Sequence, residues 1–234
     1  MAITQNPLTS DVDNDGGATS TTASIAPGAN RLVILAVGNR DTTGAMTCSA
    51  AGNDLTYVEI LTIRTGNERL TLFRAMGAAP AAGAITITFA NAPIRTMWSV
   101  TEFAGVNTGG TNGSAAVVQS VTNSSASANT LTVTLAAFAQ AANGAYGLFS
   151  IDGGDIDITP GTGFAQIHDV GAGSTLSMMS EWRADNDTSV DASFAATSSL
   201  IGAAFEIGGL GGGGGSGVAP GLRGLSIFRS RGRR

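Results

Sequence analysis

The residues that could do chemistry in this 234-residue chain are few and far apart. His168 is the only histidine, Cys48 is the only cysteine, and there is no lysine. Asp169 cannot orient His168 as the acid of a catalytic triad, because neighbouring strand residues point to opposite faces. Nucleophilic catalysis and His/Cys zinc sites lack their residue types, and no spacing among the 17 acidic residues selects a pair for glycoside hydrolysis. We therefore predict a protein that is not an enzyme and has no catalytic residues.

One motif has the spacing of a metal-binding loop. Asp11, Asp13 and Asp15 alternate and are followed by Gly16, like the opening of a calcium loop in which carboxylates surround the cation. The bidentate glutamate of such loops is missing at the twelfth position, which is Thr22. A solvated acidic loop is therefore the favoured interpretation, with calcium as the alternative. The sequence indicates no other metal and no cofactor.

Charge divides the chain at a glycine-rich run. The residues before 207 include 17 acids and 7 arginines, a net charge of −10, whereas the last 12 residues hold five arginines. Residues 208–217 are predicted to form a flexible linker and residues 218–234 a basic docking arm. The residues predicted to bind a partner are Arg223, Leu225, Ile227, Phe228, Arg229, Arg231, Arg233 and Arg234.

The arm mixes apolar residues with its charges, which favours docking on an acidic protein surface or strand addition to a neighbour's sheet. Nucleic acid is the less favoured partner, because the acidic body would be repelled by phosphates. A simple solubility tail is a third alternative. The N-terminus has neither a basic region nor an apolar run, so we expect no secretion signal, no membrane span and synthesis in the cytoplasm.

Composition predicts an all-β fold. Charged residues make up only 12% of the chain, glycines number 33, and Thr-x-Thr alternation is frequent. The apolar run Arg31–Val37 is typical of a central strand buried on both faces, and Asp54–Met76 has the pattern of a β-hairpin. The first strand is predicted at 19–25, and a turn is predicted at 123–129.

The hairpin pattern returns later in the chain. Residues Gly163–Ala184 repeat it, so that Phe73-Arg74-Ala75 is matched by Trp182-Arg183-Ala184. We therefore predict two tandem, internally duplicated β-sandwich units of jelly-roll or immunoglobulin-like type, with one fused sandwich as the alternative. The predicted boundaries are 1–105 for the first unit, 106–114 for a connecting loop and 115–207 for the second unit.

Several segments resemble a loosely defined group of β-sandwich virion proteins of tailed bacteriophages. The resemblance is carried by Asn30–Val37, Leu55–Val58, Glu68–Arg74, Ala84–Phe89, Val100–Val106, Ile158–Phe164, Met179–Ala184 and Gly224–Ile227. It implies a structural protein located in the virion: a capsid decoration (cement) protein, a head fibre or a tail appendage. The implied partner is the major capsid protein or another virion protein, and the implied assembly is a homo-oligomer, with trimers suited to local three-fold axes.

The alternative function is a receptor- or glycan-binding adhesion module. Trp98, Trp182, Tyr57 and Tyr146 could stack on sugars, but aromatic residues in apolar strands more often belong to the core. Capsid decoration by the C-terminal arm is therefore the leading functional prediction.

Overall fold

The computed structural model describes residues 2–42, 46–138, 140–173 and 175–210, and these residues form an all-β protein, as predicted. A 3-10 turn at Ser114–Ala116 is the one helical element in these ranges. The strands are β1 (Thr4–Asp13), β2 (Thr19–Thr21), β3 (Leu32–Arg40), β4 (Cys48–Gly52), β5 (Leu55–Thr56), β6 (Val58–Thr65), β7 (Glu68–Ala75), β8 (Ile85–Phe89), β9 (Arg95–Ala104), β10 (Val117–Thr134), β11 (Gly144–Asp152), β12 (Ile158–Pro160), β13 (Ala165–Ala172), β14 (Leu176–Arg183) and β15 (Ser189–Ile207).

The strands form three antiparallel sheets. The first sheet has the order β1-β9-β3-β7-β6, and the second has the order β10-β15-β11-β14-β13, with β12 paired to β15. A small sheet has the order β2-β8-β4-β5. β10 and β15 are 18 and 19 residues long and pair with each other along most of that length.

The central strand β3 is buried on both faces, which confirms the prediction for its apolar run. Leu32 and Ile34 point into a core shared with the second sheet, whereas Val33 and Leu35 point into a core under the small sheet. Alternation along a strand sends successive side chains to opposite faces, so a strand covered on both sides must be apolar throughout.

Three apolar cores follow from this layering. The first and second sheets pack face to face around the shared core, where the rings of Phe103 and Trp182 lie 5.0 Å apart and those of Tyr146 and Phe205 stack at 4.6 Å. A second core lies between the first sheet and the small sheet. The third lies between the second sheet and the outer segments of β10, β12 and β15.

The contacts between the two large sheets come in reciprocal pairs. β1 lies against β13 and β6 lies against β10, where each contact joins the first strand of one sheet to the fifth of the other. Likewise, β9 contacts β13 and β14, while β15 contacts β6 and β7. Exchanging the two sheets therefore leaves this contact pattern unchanged.

Two strands differ from the expectation at the ends of the units. β1 occupies Thr4–Asp13, where the sequence looked polar and a first strand was expected only at residue 19. This strand is at a sheet edge and buries few side chains, so its hydrogen bonds to β9 rather than its apolar pattern determine it. β10 also continues through the predicted turn at 123–129, with breaks in its register between Ser125 and Thr130.

The matched triplets in the two hairpins are offset by one residue. Phe73 points into the core under the small sheet, whereas Trp182 points into the shared core. A shift of one residue along a strand moves a side chain to the opposite face. Phe73 and Trp182 are therefore not equivalent in position.

Candidate functional site

The predicted partner-binding residues, Arg223 to Arg234, lie outside the described residues, which end at Leu210. The place where the chain continues toward them is nevertheless well fixed. Leu210 N donates to Gly105 O at 2.9 Å, and Asn107 N donates to Gly208 O at 2.8 Å. Gly208 and Gly209, which the sequence assigned to the linker, are buried parts of the body.

A buried carboxylate is connected by hydrogen bonds to this end of the chain. Glu206 is 1% exposed, and its Oε2 accepts a hydrogen bond from Gln119 Nε2 at 2.7 Å. Asn143 Nδ2 donates to Glu206 Oε1, and Asn143 Oδ1 accepts from Gly209 N at 3.0 Å. The Gln119 amide also exchanges two hydrogen bonds with the backbone of Ala136, at 3.0 and 2.9 Å. Glu206 thus fixes both the end of β15 and the strand that follows the 3-10 turn.

The first sheet carries a similar carboxylate clamp. Glu102 is 3% exposed and lies on β9, where its Oε1 accepts from Asn6 Nδ2 at 2.9 Å and from Arg31 Nη1 at 2.5 Å. Its Oε2 accepts from Gly28 N at 2.8 Å. In each sheet the glutamate faces an amide side chain on the edge strand, Asn6 for Glu102 and Gln119 for Glu206.

The predicted acidic loop lines a cleft of about 420 Å³ beside β1 and β2. Its lining consists of Asp11, Val12, Asp13, Asn14, Asp15, Thr21 and Trp98. Local hydrogen bonds occupy both carboxylate oxygens of Asp13: Oδ1 accepts from Asp15 N at 2.9 Å, and Oδ2 from Ser20 Oγ at 2.8 Å. Within the described ranges, no three or more His, Cys, Asp or Glu side chains are grouped so that they could hold a metal ion.

Trp98 contributes an unusual group to this cleft. The residue is 4% exposed, and its indole Nε1 has no hydrogen-bond partner among the described residues. The nitrogen itself is buried, and a buried N–H without an acceptor costs free energy.

A polar cluster lies between the two large sheets. Arg40 Nη1 is 2.9 Å from Asp152 Oδ1 and donates to Thr175 O at 3.0 Å. Glu68, which pairs with Arg40 across the strands, is 1% exposed, and neither of its carboxylate oxygens has a partner in the described chain. Burial raises the pKa of Glu68 to about 8, and Asp152 adds to the rise while Ser150 and Arg40 oppose it. Glu68 is therefore largely protonated at neutral pH.

Glu181 is a second buried acid with a raised pKa. It is fully buried on β14, and its Oε2 accepts from Gly161 N at 3.0 Å. Its Oε1 has no partner among the described residues. Burial raises the pKa of Glu181 to about 8, the Gly161 hydrogen bond lowers it in part, and Asp191 raises it.

The single histidine has a structural contact. His168 Nε2 lies 3.2 Å from Val100 O, opposite the point where the ladder between β1 and β9 shifts register after Pro7. Burial lowers the pKa of His168, so the ring is neutral and donates through Nε2 to this carbonyl. Asp169, its neighbour, is exposed.

The remaining sequence candidates are also placed by the structure. Trp182 and Tyr146 are 6% and 1% exposed, so their rings belong to the core rather than to a sugar-binding surface. Cys48 is half-buried, and burial raises the pKa of its thiol to about 11. Arg183 pairs with Asp185 at 2.7 Å and with Asp187 at 2.6 Å.

Sequence reasoning did not identify the four buried glutamates. A signal was present, since Glu102 and Glu206 interrupt otherwise apolar strands in Val-Thr-Glu-Phe and Ala-Phe-Glu-Ile. A charged residue in such a strand is buried only with partners, which could have been sought among nearby amides.

Comparison of the chain with protein-family models, curated proteins and solved structures found no match. Among the residues that the structure describes, no helix is long and apolar enough to cross a membrane. The functional argument therefore rests on the geometry and charge of this chain.

Proposed function

We propose that this chain is a non-enzymatic structural protein of a bacteriophage virion, a capsid decoration protein whose C-terminal arm docks on capsid protein or on a neighbouring copy. The observation that carries the proposal is the opposition of charge on the two sides of Leu210. Before this residue the chain has a net charge of −10, and the last 12 residues carry five arginines. Separated charges of this kind suit a body that stays outside an assembly and an arm that attaches to it.

The anchored end of the body supports this division of labour. Backbone hydrogen bonds and the hydrogen-bonded series Glu206–Asn143–Gly209 hold the polypeptide in place up to Leu210. A force on the arm would therefore be transmitted to the sheet. The buried acids leave the charge difference intact. If Glu68 and Glu181 are both protonated, the net charge of the body changes only from −10 to −8.

We also infer that the body consists of two duplicated sandwich units with the boundaries predicted above. The identical positions of matched strands in the two sheet orders support this inference. Further support comes from the reciprocal contacts between the large sheets and from the glutamate clamps at corresponding places on β9 and β15. Because the two units are covalently connected, the surface between them stays buried. Two separate copies would have to associate in solution to bury the same surface.

Cosedimentation with purified empty phage heads tests the function. The full chain should pellet with heads, whereas a chain ending at Leu210 should stay in the supernatant, because it keeps the Gly105 contact but lacks the arm. A matched control replaces the five arginines of the arm by glutamine and keeps Leu225, Ile227 and Phe228. Loss of pelleting in that variant would identify charge as the main contribution. Undiminished binding by the chain ending at Leu210 would contradict the proposal, and arm-independent binding to host cells would favour the adhesion module.

A further inference from the structure

We propose that the free edge of β10 is a self-association surface, where a second copy of this chain adds its own β10 in antiparallel register about a two-fold axis. The second sheet then continues from one copy into the other. The inference concerns the body of the protein and goes beyond the proposed function, because it does not depend on the C-terminal arm.

β10 is an edge strand with only one edge paired. It pairs with β15 in the second sheet, and no other strand of the described ranges pairs with its opposite edge. An edge strand presents unpaired backbone N–H and C=O groups, which are a template for pairing with another chain. Between Gln119 and Ser125 the ladder to β15 has no register shift, so this segment is regular enough to accept a partner strand.

β10 lacks the residues that protect the other edge strands of the two large sheets. Its 18 residues include no charged residue and no proline. By contrast, β1 contains Pro7 and two aspartates, β6 contains Glu59 and Arg64, and β13 contains His168 and Asp169. Charges and proline on an edge disfavour pairing with another strand. Of these four edge strands, β10 is therefore the one suited to strand addition.

The order of side chains along β10 favours a second copy as the partner. Its central residues read amide, hydroxyl, apolar, hydroxyl, amide, which is the same in both directions: Gln119, Ser120, Val121, Thr122 and Asn123. Antiparallel pairing centred on Val121 places the two Val121 side chains opposite each other and the exposed Ser120 opposite the exposed Thr122 of the second copy. Facing hydroxyls and facing β-branched apolar side chains stabilise a sheet.

Charge also favours this edge for self-association. The chain before residue 207 has a net charge of −10, so two copies repel each other. β10 is uncharged, and β6, which packs against it from the first sheet, has one acid and one base. Two copies that meet along β10 therefore bring no net charge of these strands together.

Sedimentation velocity of the full-length protein over a range of concentrations tests the association. We expect a reversible equilibrium between the 23.3 kDa monomer and a dimer of twice that mass. The assembly ends at the dimer, because two-fold pairing uses the β10 edge of each copy once. A protein that stays monomeric at millimolar concentration, or that forms trimers instead, would overturn the proposal.

Lysine substitutions on two strands provide the matched comparison. Ser120→Lys/Thr122→Lys places like charges opposite each other in the paired edges, so the dissociation constant of the dimer should rise about tenfold or more. Thr86→Lys/Thr88→Lys adds the same charges at exposed sites on β8, which is paired on both edges. This control should leave the dissociation constant unchanged. Equal effects of the two double substitutions would contradict pairing through β10.

Disulfide cross-linking tests the register. In a Cys48→Ser background, Val121→Cys should give a disulfide-linked dimer on oxidation with copper phenanthroline, because directly opposite residues have Cα atoms about 5 Å apart. Ser125→Cys in the same background should not, because pairing centred on Val121 places the two copies of residue 125 about 26 Å apart. Failure to cross-link at residue 121, or equally rapid cross-linking at residue 125, would overturn this pairing.

The chain that ends at Leu210 separates this inference from the proposed function. It should dimerise like the full chain, because it retains β10, and loss of the dimer would assign the association to the arm and overturn the proposal. Arm-dependent binding of a monomeric protein to phage heads removes this inference alone. A β10 dimer that does not bind heads removes the decoration role alone.

Discussion

The buried glutamates form two pairs with opposite environments. Glu102 and Glu206 receive hydrogen bonds on both carboxylate oxygens, whereas Glu68 has no partner and Glu181 has one, among the described residues. Burial is nearly the same in all four, between 0% and 3% exposed. The difference therefore lies in the donors that the neighbouring strands and turns supply. Glu68 and Glu181 hold a proton into the neutral range, because burial raises the pKa of each to about 8.

Removing a clamp should have the largest effect. We expect Glu206→Ala to lower the free energy of unfolding by about 2–3 kcal/mol, because it leaves the buried amide of Asn143 and the half-buried amide of Gln119 without this acceptor. Urea denaturation at pH 7 measures this loss. Glu59→Ala is the matched control: Glu59 is exposed, and its removal should change stability by no more than about 0.5 kcal/mol. Equal effects of the two substitutions would show that the clamp contributes nothing to stability.

Replacing Glu68, which has no hydrogen-bond partner among the described residues, should raise the free energy of unfolding instead of lowering it. The carboxyl of Glu68 ionises near pH 4.5 when unfolded and near pH 8 when folded, so its contribution to stability falls as pH rises through this window. Glu68→Gln abolishes that loss, and we expect the variant to be more stable than the parent by about 2–3 kcal/mol at pH 9 and nearly equal to it at pH 4. Denaturation curves over pH 4–9 test this. A constant difference between variant and parent would contradict the assigned protonation.

Part of this architecture could be predicted from sequence. The run Leu32 to Val37 is apolar on both faces, which requires covers on both sides and so indicates a central strand. The run does not indicate which elements of the fold pack against the two faces of the strand. The second sheet supplies one of them from residues more than a hundred positions away, and nothing local to β3 specifies that packing.

The clamps show the same limit at the level of single residues. Glu102 is conspicuous in an apolar strand, but Asn6, which bonds to it, is 96 positions away. Pairing of β1 with β9 brings the two together, and β1 itself was not predicted because an edge strand needs few apolar residues. Asp11, Asp13 and Asp15 were visible as a motif, whereas the orphan indole of Trp98 beside them depends on three-dimensional packing.

Glu181 lies between the two extremes of the comparison. One oxygen accepts from Gly161 N and the other has no partner in the described chain. We expect Glu181→Gln to be more stable than the parent at pH 9 by about 2–3 kcal/mol, similar to Glu68→Gln, because the two carboxyls have the same raised pKa of about 8, which already includes the Gly161 hydrogen bond. The same pH series measures this difference. Equal stability of variant and parent at pH 9 would contradict the assigned protonation of Glu181.

His168 extends the comparison to a base and should show the smallest effect. Its ring contacts Val100 O at 3.2 Å, and burial lowers its pKa from 6.5, so the folded state resists protonation that the unfolded state accepts. Stability from the neutral ring is therefore complete above pH 6.5 and declines as pH falls below it. His168→Gln removes the hydrogen bond to Val100 O and should lower the free energy of unfolding by about 1 kcal/mol at pH 8. The loss should be smaller at pH 5, where the parent is also less stable. Urea denaturation at these two pH values measures the change, and a cost that grows toward pH 5 would mean that the folded state favours the charged ring.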